Sequence, residues 1–402
     1  MNARSEPLGT PDATPWVCFA AVDWWYHNRA HSEVQLMTRV ARDRPVLFVN
    51  SIGMRMPLPG RSSNTLSRLV RKAKSIVKVL RSPVGDLPNF HVLSPVVVPF
   101  YSKAWVRRLN AALVRAQVRA AMRKLGFQRT PVMFVTIPTA WDVVAPMSRR
   151  ALVFNRVDKH STFEETDQSL IASLETQLLA NADLTLFVSG ALLEEEQPVT
   201  GDRGVFFDHA VDIERFTVAA DAPEPADLAA IAHPRIGFFG GLDDYVIDFD
   251  LIEAIAHNFT DAQVVLVGMA TCSMDRFDAM TNVHWLGYQP YESIARYGAG
   301  FDVAILPRLD NEWSRYTNPI KLKEYLALGL PIVTRDVPEA HRYASLLRIA
   351  RTADDFLTAI DQTLADGGLG TRAERRAAVV NDTWDQRTAE LVTLVHDLEV
   401  RS

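Results

Sequence analysis

The sequence predicts an α/β protein made of two doubly wound parallel-sheet domains, and three observations carry that prediction. Short apolar runs alternate with helical patterns along most of the 402-residue chain. The runs lack polar alternation, as expected of strands covered by helices on both faces. They also fall into two groups, on either side of a Pro/Ala/Asp-rich stretch after Phe216.

In the first group, WVCFAAV (Trp16–Val22), PVLFVN (Pro45–Asn50), PVMFVTI (Pro131–Ile137), ALVFNRV (Ala151–Val157) and LTLFVS (Leu184–Ser189) read as buried strands. In the second, RIGFFG (Arg235–Gly240), QVVLVG (Gln263–Gly268), DVAILP (Asp302–Pro307) and PIVT (Pro331–Thr334) do the same. The segment GVFFDHAVDIERFTVAADAPEPADL between them contains the interdomain connection. The expected organisation is an N-terminal domain over residues 1–214, a C-terminal domain over 215–384, and a helix over 385–402 that packs back toward the N-terminal domain. Two such domains are expected to face each other across a central cleft at the C-terminal ends of their strands, where ligands bind in doubly wound folds.

Charge is divided unevenly. Of the 43 Lys and Arg residues, 23 fall within residues 1–150, against only 7 of the 48 Asp and Glu. A basic first portion suits an anionic surface or polymer. The two cysteines, Cys18 and Cys272, make neither a disulfide framework nor a metal cluster, and fit a reducing cytoplasm. The opening MNARSEPLGTPDATPW has no apolar signal core and reads as a short disordered leader. No run is long and apolar enough for a transmembrane helix, so any membrane contact is expected to be peripheral.

The stretch TNPIKLKEYLALGLPIVTRDVPE (Thr317–Glu339) holds the densest signal. Thr317 or Asn318 is placed to cap a helix and Pro319 suits its first turn; Gly329 ends it, giving about ten residues. Lys321 in the first turn opposes the helix dipole by roughly 0.3–1 kcal/mol. A lysine there makes sense if an anion docks at the helix end, since free N–H groups at that end bind phosphate. Glu324 lies three residues on, on the same face, placed to accept hydrogen bonds from ribose hydroxyls. The competing reading is a solvated Lys–Glu pair on an ordinary helix.

This stretch, together with GVFFDHAVDIERF, RIGFFGGLDDYVIDFDLIEAIA and NVHWLGYQPYESIARYGAGFDVAILP, resembles in order and spacing the nucleotide-binding half of the GT-B glycosyltransferases. The likeness covers most of residues 205–339. It is greater to the teichuronic-acid-type and xanthan-type polysaccharide glycosyltransferases (glycosyltransferase family 4, glucuronosyltransferase-like) than to the starch and glycogen enzymes. The resemblance implies the GT-B fold, two Rossmann-like domains, and a metal-independent hexosyl- or glucuronosyltransferase using a nucleotide-sugar donor, UDP-linked, as co-substrate with no further cofactor. Many retaining members carry an earlier glutamate whose place is taken here by Tyr316, leaving inversion and retention both open.

For the donor, Gly240 and Gly241 end a strand in a turn whose bare backbone lets N–H groups approach phosphate. The resemblance places the base at Gly287–Gln289, where Tyr288 would stack and Gln289 stand beside it. Arg308 would add a second cation. Transfer to an alcohol with inversion needs a general base. The candidate is Asp158 in LVFNRVDKHSTF, which resembles the base position of xanthan-type glucuronosyltransferases; capping the following helix is the alternative. Asp23 is expected to bind acceptor, as are His27 and His31, whose four-residue spacing could otherwise suit a metal that finds no third ligand here. In DFD (Asp248–Asp250) helix capping is the better reading, so no metal site is expected.

Two basic segments, TLSRLVRKAKSIVKVLRS (Thr65–Ser82) and KAWVRRLNAALVRAQVRAAMRKLGF (Lys103–Phe127), read as helices, the first clearly amphipathic. They would rest on an anionic membrane surface, placing the protein in the cytoplasm, peripheral on the inner face of the membrane, with a lipid-linked or polysaccharide acceptor of the cell envelope. No aromatic platform accompanies the charges, so nucleic acid is not expected. Two other functions share the features: a UDP-sugar epimerase of the same fold, which needs no acceptor, and a non-catalytic nucleotide-sugar-binding subunit. A dinucleotide-dependent dehydrogenase is excluded, because GFFGGLDD lacks the required glycine spacing.

Overall fold

A computed structural model describes residues 13–26, 29–53, 80–98, 103–163, 166–219 and 222–401. The chain divides into two compact units. One holds the described residues up to Val188, Leu192–Asp208 and those from Arg387 on; the other holds Ser189–Ala191 and His209–Gln386.

The first unit is built on strands β1 (Trp16–Phe19), β2 (Val46–Val49), β3 (Leu80–Arg81), β4 (Phe90–Leu93), β5 (Val132–Val135), β6 (Ala151–Arg156), β7 (Leu184–Phe187) and β8 (Gly204–Phe206). Their spatial order is β3-β4-β2-β1-β5-β6-β7-β8. Every neighbouring pair is parallel except β3 with β4. Its principal helices are α1 (Ser32–Val40), α2 (Ala104–Lys124), α3 (Gln168–Asn181) and α4 (Gly190–Thr200). Strands β1, β2, β5, β6 and β7 are buried at every position, which is why they read as unbroken apolar runs.

The second unit carries β9 (Arg235–Phe239), β10 (Gln263–Val267), β11 (Val283–Trp285), β12 (Val303–Leu306), β13 (Ile332–Arg335) and β14 (Arg348–Ala350), in the order β11-β10-β9-β12-β13-β14. All pairs are parallel. That order reverses between β9 and β12, the topological switch point of a doubly wound sheet. The helices used below are α5 (Phe249–Asn258), α6 (Glu312–Tyr316), α7 (Ile320–Leu328) and α8 (Trp384–Arg401). Asp248 caps α5, its Oδ1 accepting from the Leu251 N–H at 2.9 Å.

The nine expected strands are present, each within a residue or two at its start and up to three at its end. Strands β3, β4, β8, β11 and β14 escape the sequence pattern. They lie at or next to sheet edges, and apart from β4 they are only two or three residues long and largely half-buried, so they form no continuous apolar run. The helix expected over Thr65–Ser82 falls mostly outside the described residues. Its end is corrected: Leu80 and Arg81 pair antiparallel with Leu93 and Val92.

Gly240 and Gly268 hold the carboxyl ends of β9 and β10 together. Gly268 has φ 154°, and a Cβ there would lie 1.7 Å from the Gly240 carbonyl oxygen. Gly287, by contrast, has φ 66° with nothing within 4 Å of a Cβ. Gly268→Ala is therefore expected to lower the stability of this unit by about 3 kcal/mol or more through clash and strain. Gly287→Ala meets only the left-handed backbone penalty of about 1–2 kcal/mol. Urea midpoints of the two variants check this ordering.

Candidate functional site

The second sheet's switch point gathers most of the residues nominated for the donor. Gly240 and Gly241 follow β9, Arg308 follows β12, and α7 begins just after Pro319. Tyr325, in the middle of α7, ties these elements together. Its hydroxyl accepts from the Phe239 N–H at 3.2 Å and donates to the Ile305 carbonyl at 3.5 Å. Its ring meets Phe239 edge-on, with centroids 4.8 Å apart. Two residues earlier in the helix, Lys323 is anchored by donating to the His209 carbonyl (2.7 Å) and to Asp382 (2.6 Å). The helix closes at Gly329, φ 77°.

With α7 pinned at this depth, Lys321 lies across the glycine turn. A Cβ on Gly240 would come within 2.8 Å of Lys321 Cε, so a side chain there would push the lysine aside. Glu324, one turn deeper, is 2 % exposed. Burial pushes its carboxyl up to about 7, against the opposing pull of the Lys321 ammonium. Burial also holds Lys321 below the usual lysine range, and Arg308 adds to that; Glu324 and Asp243 pull the other way. A solvated pair on an ordinary helix does not fit: Glu324 is buried and Lys321 half-buried.

Arg308 is buried and spoken for. Its Nη1 donates to Thr317 Oγ1 at 2.9 Å, and its guanidinium lies 4.7 Å over the Trp313 ring. Trp313 in turn meets Tyr245 edge-on. Thr317 corrects the expected cap: it closes α6, donating to the Ser314 carbonyl at 3.2 Å, while Pro319 stands at the N-cap of α7 with no side-chain cap. Asn318 is half-buried between the two helices. The Thr317 hydroxyl is consumed because Arg308, remote in sequence from any capping logic, reaches it first.

Gly287, Tyr288 and Gln289 form the loop after β11. The Gly287 carbonyl accepts from the Gly268 N–H (2.8 Å), Gln289 Nε2 donates to the Leu286 carbonyl (3.1 Å), and Tyr288 is 54 % exposed. The sequence reading missed Asp243, which accepts from Thr271 Oγ1 and acts on Lys321, and the Trp313–Tyr245 pair flanking Arg308. Asp243 lay in the quoted glycine turn; its signal was the acid placed directly after Gly-Gly-Leu.

In the first unit, Asp158 lies in the loop after β6. It does not cap: the short turn His160–Thr162 has Lys159 at its N-cap, and α3 is capped by Asp167, whose Oδ1 accepts from the Leu170 N–H. The Asp158 main chain is held instead. Arg156 Nη1 donates to the Asp158 carbonyl at 2.8 Å while the same guanidinium is clasped by Glu175 and by both oxygens of Glu196. Burial alone would raise the Glu175 carboxyl, but Arg156 holds it down to about 2. Asp23 turns back on its own loop, Oδ1 accepting from the Trp25 N–H at 2.9 Å. His31 is exposed at the N-cap of α1 without a side-chain cap, and His27 lies outside the described residues. Among the described residues no group of three or more His, Cys, Asp or Glu side chains is arranged to hold a metal ion, and no described helix is long and apolar enough to cross a membrane.

Comparison with known proteins agrees with this architecture. The family described as glycosyl transferases group 1 matches residues 233–366, wholly within the second unit. A Bacillus subtilis (strain 168) protein named as a teichuronic acid biosynthesis glycosyltransferase, TuaH, is 24% identical over 229 residues. That match takes in 54% of this chain and 57% of the relative. Among solved structures, sucrose-phosphate synthase from Thermosynechococcus elongatus superposes with TM-score 0.71 at 14% identity, over 97% of this chain and 100% of that one. Anabaena Alr3699/HepE, solved in complex with UDP-glucose, gives TM-score 0.66 at 14% identity, over 94% and 99%. Residues 233–366 thus match a glycosyl transferases group 1 domain, and the chain as a whole shares the two-unit α/β fold of these solved structures.

Proposed function

We propose that the chain is an enzyme that transfers a sugar, a hexosyl or glucuronosyl group, from a UDP-linked donor to a lipid-linked or polysaccharide acceptor at the cytoplasmic face of a membrane. The observation that carries the donor half is the Lys321–Glu324 pair in the opening turns of α7, pressed against the Gly240–Gly241 turn at a sheet switch point. Desolvating a carboxyl this far is costly unless a ligand uses it. In this reading Glu324 accepts from the ribose hydroxyls, and Lys321, Arg308 and the backbone N–H groups of the turn and helix end receive the diphosphate. Thr317 and Asn318 border it; Tyr288 and Gln289 hold the uracil. Likeness to proteins solved with UDP and UDP-glucose supports the same choice of donor.

In the chemical step the acceptor oxygen attacks the anomeric carbon and the bond to the β-phosphate oxygen breaks. The departing UDP carries the electron pair away, with its charge met by Lys321 and the α7 dipole, so no metal is required. Asp158 takes the acceptor proton if the configuration inverts. Asp23, His27 and His31 are assigned to the acceptor.

The membrane half rests on α2. Its exposed side shows Trp105 (64 %), Leu109 and Leu113 in an i, i+4 row, with Arg108, Arg119 and Arg123 on the same exposed surface. Apolar anchors within a cationic face suit an anionic bilayer. The basic stretch 65–79, outside the described residues, is proposed to meet the same membrane.

Several outcomes are expected. Lys321→Ala and Glu324→Gln should each weaken UDP binding by about 10–100-fold in calorimetry, the cost of losing a charge-assisted hydrogen bond. UDP binding at wild-type strength by both variants would sink the site. Because burial pushes the Glu324 carboxyl up to about 7 and its ionised form is the stronger hydrogen-bond acceptor, UDP affinity should rise by up to about tenfold from pH 6 to 8. Glu324→Gln should lose that component while keeping whatever slope the phosphate itself contributes. Asp158→Asn should leave UDP affinity unchanged and slow UDP release with acceptor by roughly 10²–10⁴-fold. Trp105→Ser with Leu109→Ser should cut co-sedimentation with phosphatidylglycerol vesicles about tenfold or more, with no loss of UDP binding.

A further inference from the structure

Arg156 is fully buried at the end of β6, on a sheet whose other parallel strands end in apolar residues. Its surroundings are two carboxylates from different helices. Glu175 of α3 takes Nη1; Glu196 of α4 takes Nε at 3.0 Å and Nη2 at 2.7 Å. Both glutamates are themselves buried. Such a triad is a poor way to hold helices on a sheet, because apolar residues of similar volume do so without desolvating three charges. One feature distinguishes it from a plain clamp. Nη1 also donates to the carbonyl of Asp158 at 2.8 Å, two residues along. His160, two residues further, is buried with Nδ1 3.7 Å from Glu175 Oε1. The loop 157–160 is thus held to the triad through the Asp158 carbonyl, with His160 packed beside Glu175 beyond hydrogen-bond distance and no side-chain cap on the following turn.

We propose that Arg156, with Glu175 and Glu196, is a positioning device for Asp158: the fork of the guanidinium fixes the loop so that the carboxylate is presented in one geometry. The inference rests on the reading of Asp158 as the base. Positioning a reacting group within a fraction of an ångström is worth orders of magnitude in rate, while a loop that merely remains attached is not. Lysine cannot substitute, because a single ammonium cannot serve two carboxylates and a carbonyl in the planar arrangement seen here.

The test uses the full chain in two forms. Arg156→Lys keeps the charge and loses the fork. Arg156→Met with Glu175→Leu and Glu196→Leu replaces the triad by apolar bulk. Hydrogen exchange of residues 157–163, thermal midpoint, UDP affinity and UDP release from UDP-glucose, with n-octyl glucoside and water as acceptor probes, are measured on each. The expected result is exchange in 157–163 faster by about tenfold or more, a thermal midpoint unchanged or raised in the triple variant, unchanged UDP affinity, and turnover reduced by about 30-fold or more with the donor KM unchanged. Protected exchange in 157–163 for Arg156→Lys, or wild-type turnover in either folded variant, overturns the proposal. Should the triple variant not fold, Arg156→Lys decides alone. Faster exchange in 157–163 without any turnover effect, alongside an Asp158→Asn variant that is fully active, condemns Asp158 as the base and not the loop's dependence on Arg156.

Discussion

Glu324 sits one turn inside a short helix, with its carboxyl removed from water and a lysine three residues before it. Much of the second unit's local geometry follows from keeping that pair in place. The helix must be held against β9 and β12, which Tyr325 does through two backbone groups. The strand end beside it is glycine with φ 151°, and Lys321 Cε lies where a side chain would begin. The next strand end must be glycine as well, because its backbone closes onto the first. Gly240, Gly268 and the two nominated charged residues therefore answer one packing problem.

The two units treat buried charge in opposite ways. In the first, Arg156 is saturated: each donor group finds a carboxylate or a carbonyl, and the guanidinium is made still harder to deprotonate by its two partners. In the second, Glu324 is desolvated without equivalent compensation, and its proton affinity rises instead. A satisfied network rigidifies; an unsatisfied group is a demand that a ligand can meet. The contrast suits a static element under one loop and a binding element under another.

Lys321 explains itself only when the helix and the sheet are considered together. At the start of an isolated helix it would be mildly unfavourable. Beside Asp243 and Glu324, and with Arg308 nearby, it is one member of a mixed cluster whose positive members border the glycine turn. The group 1 match lies over this same region, residues 233–366, and leaves the strands of the first unit outside it.

The sequence by itself determined the fold class, the nine central strands, the stop at Gly329 and the pairing of Lys321 with Glu324, because burial on both faces and helical spacing are local patterns. Only the tertiary structure decided which hydroxyl was free and which was used. Thr317 looked like a cap until Arg308 reached it, and Asp158 looked like a possible cap until Asp167 took that role and Arg156 claimed its carbonyl. The edge strands, too, waited for the sheet, since a two- or three-residue strand half open to solvent leaves no apolar run to read. Hydrogen bonds between residues distant in sequence, and the desolvation that shifts a carboxyl, depend on what packs against what, and no periodicity along the chain records that.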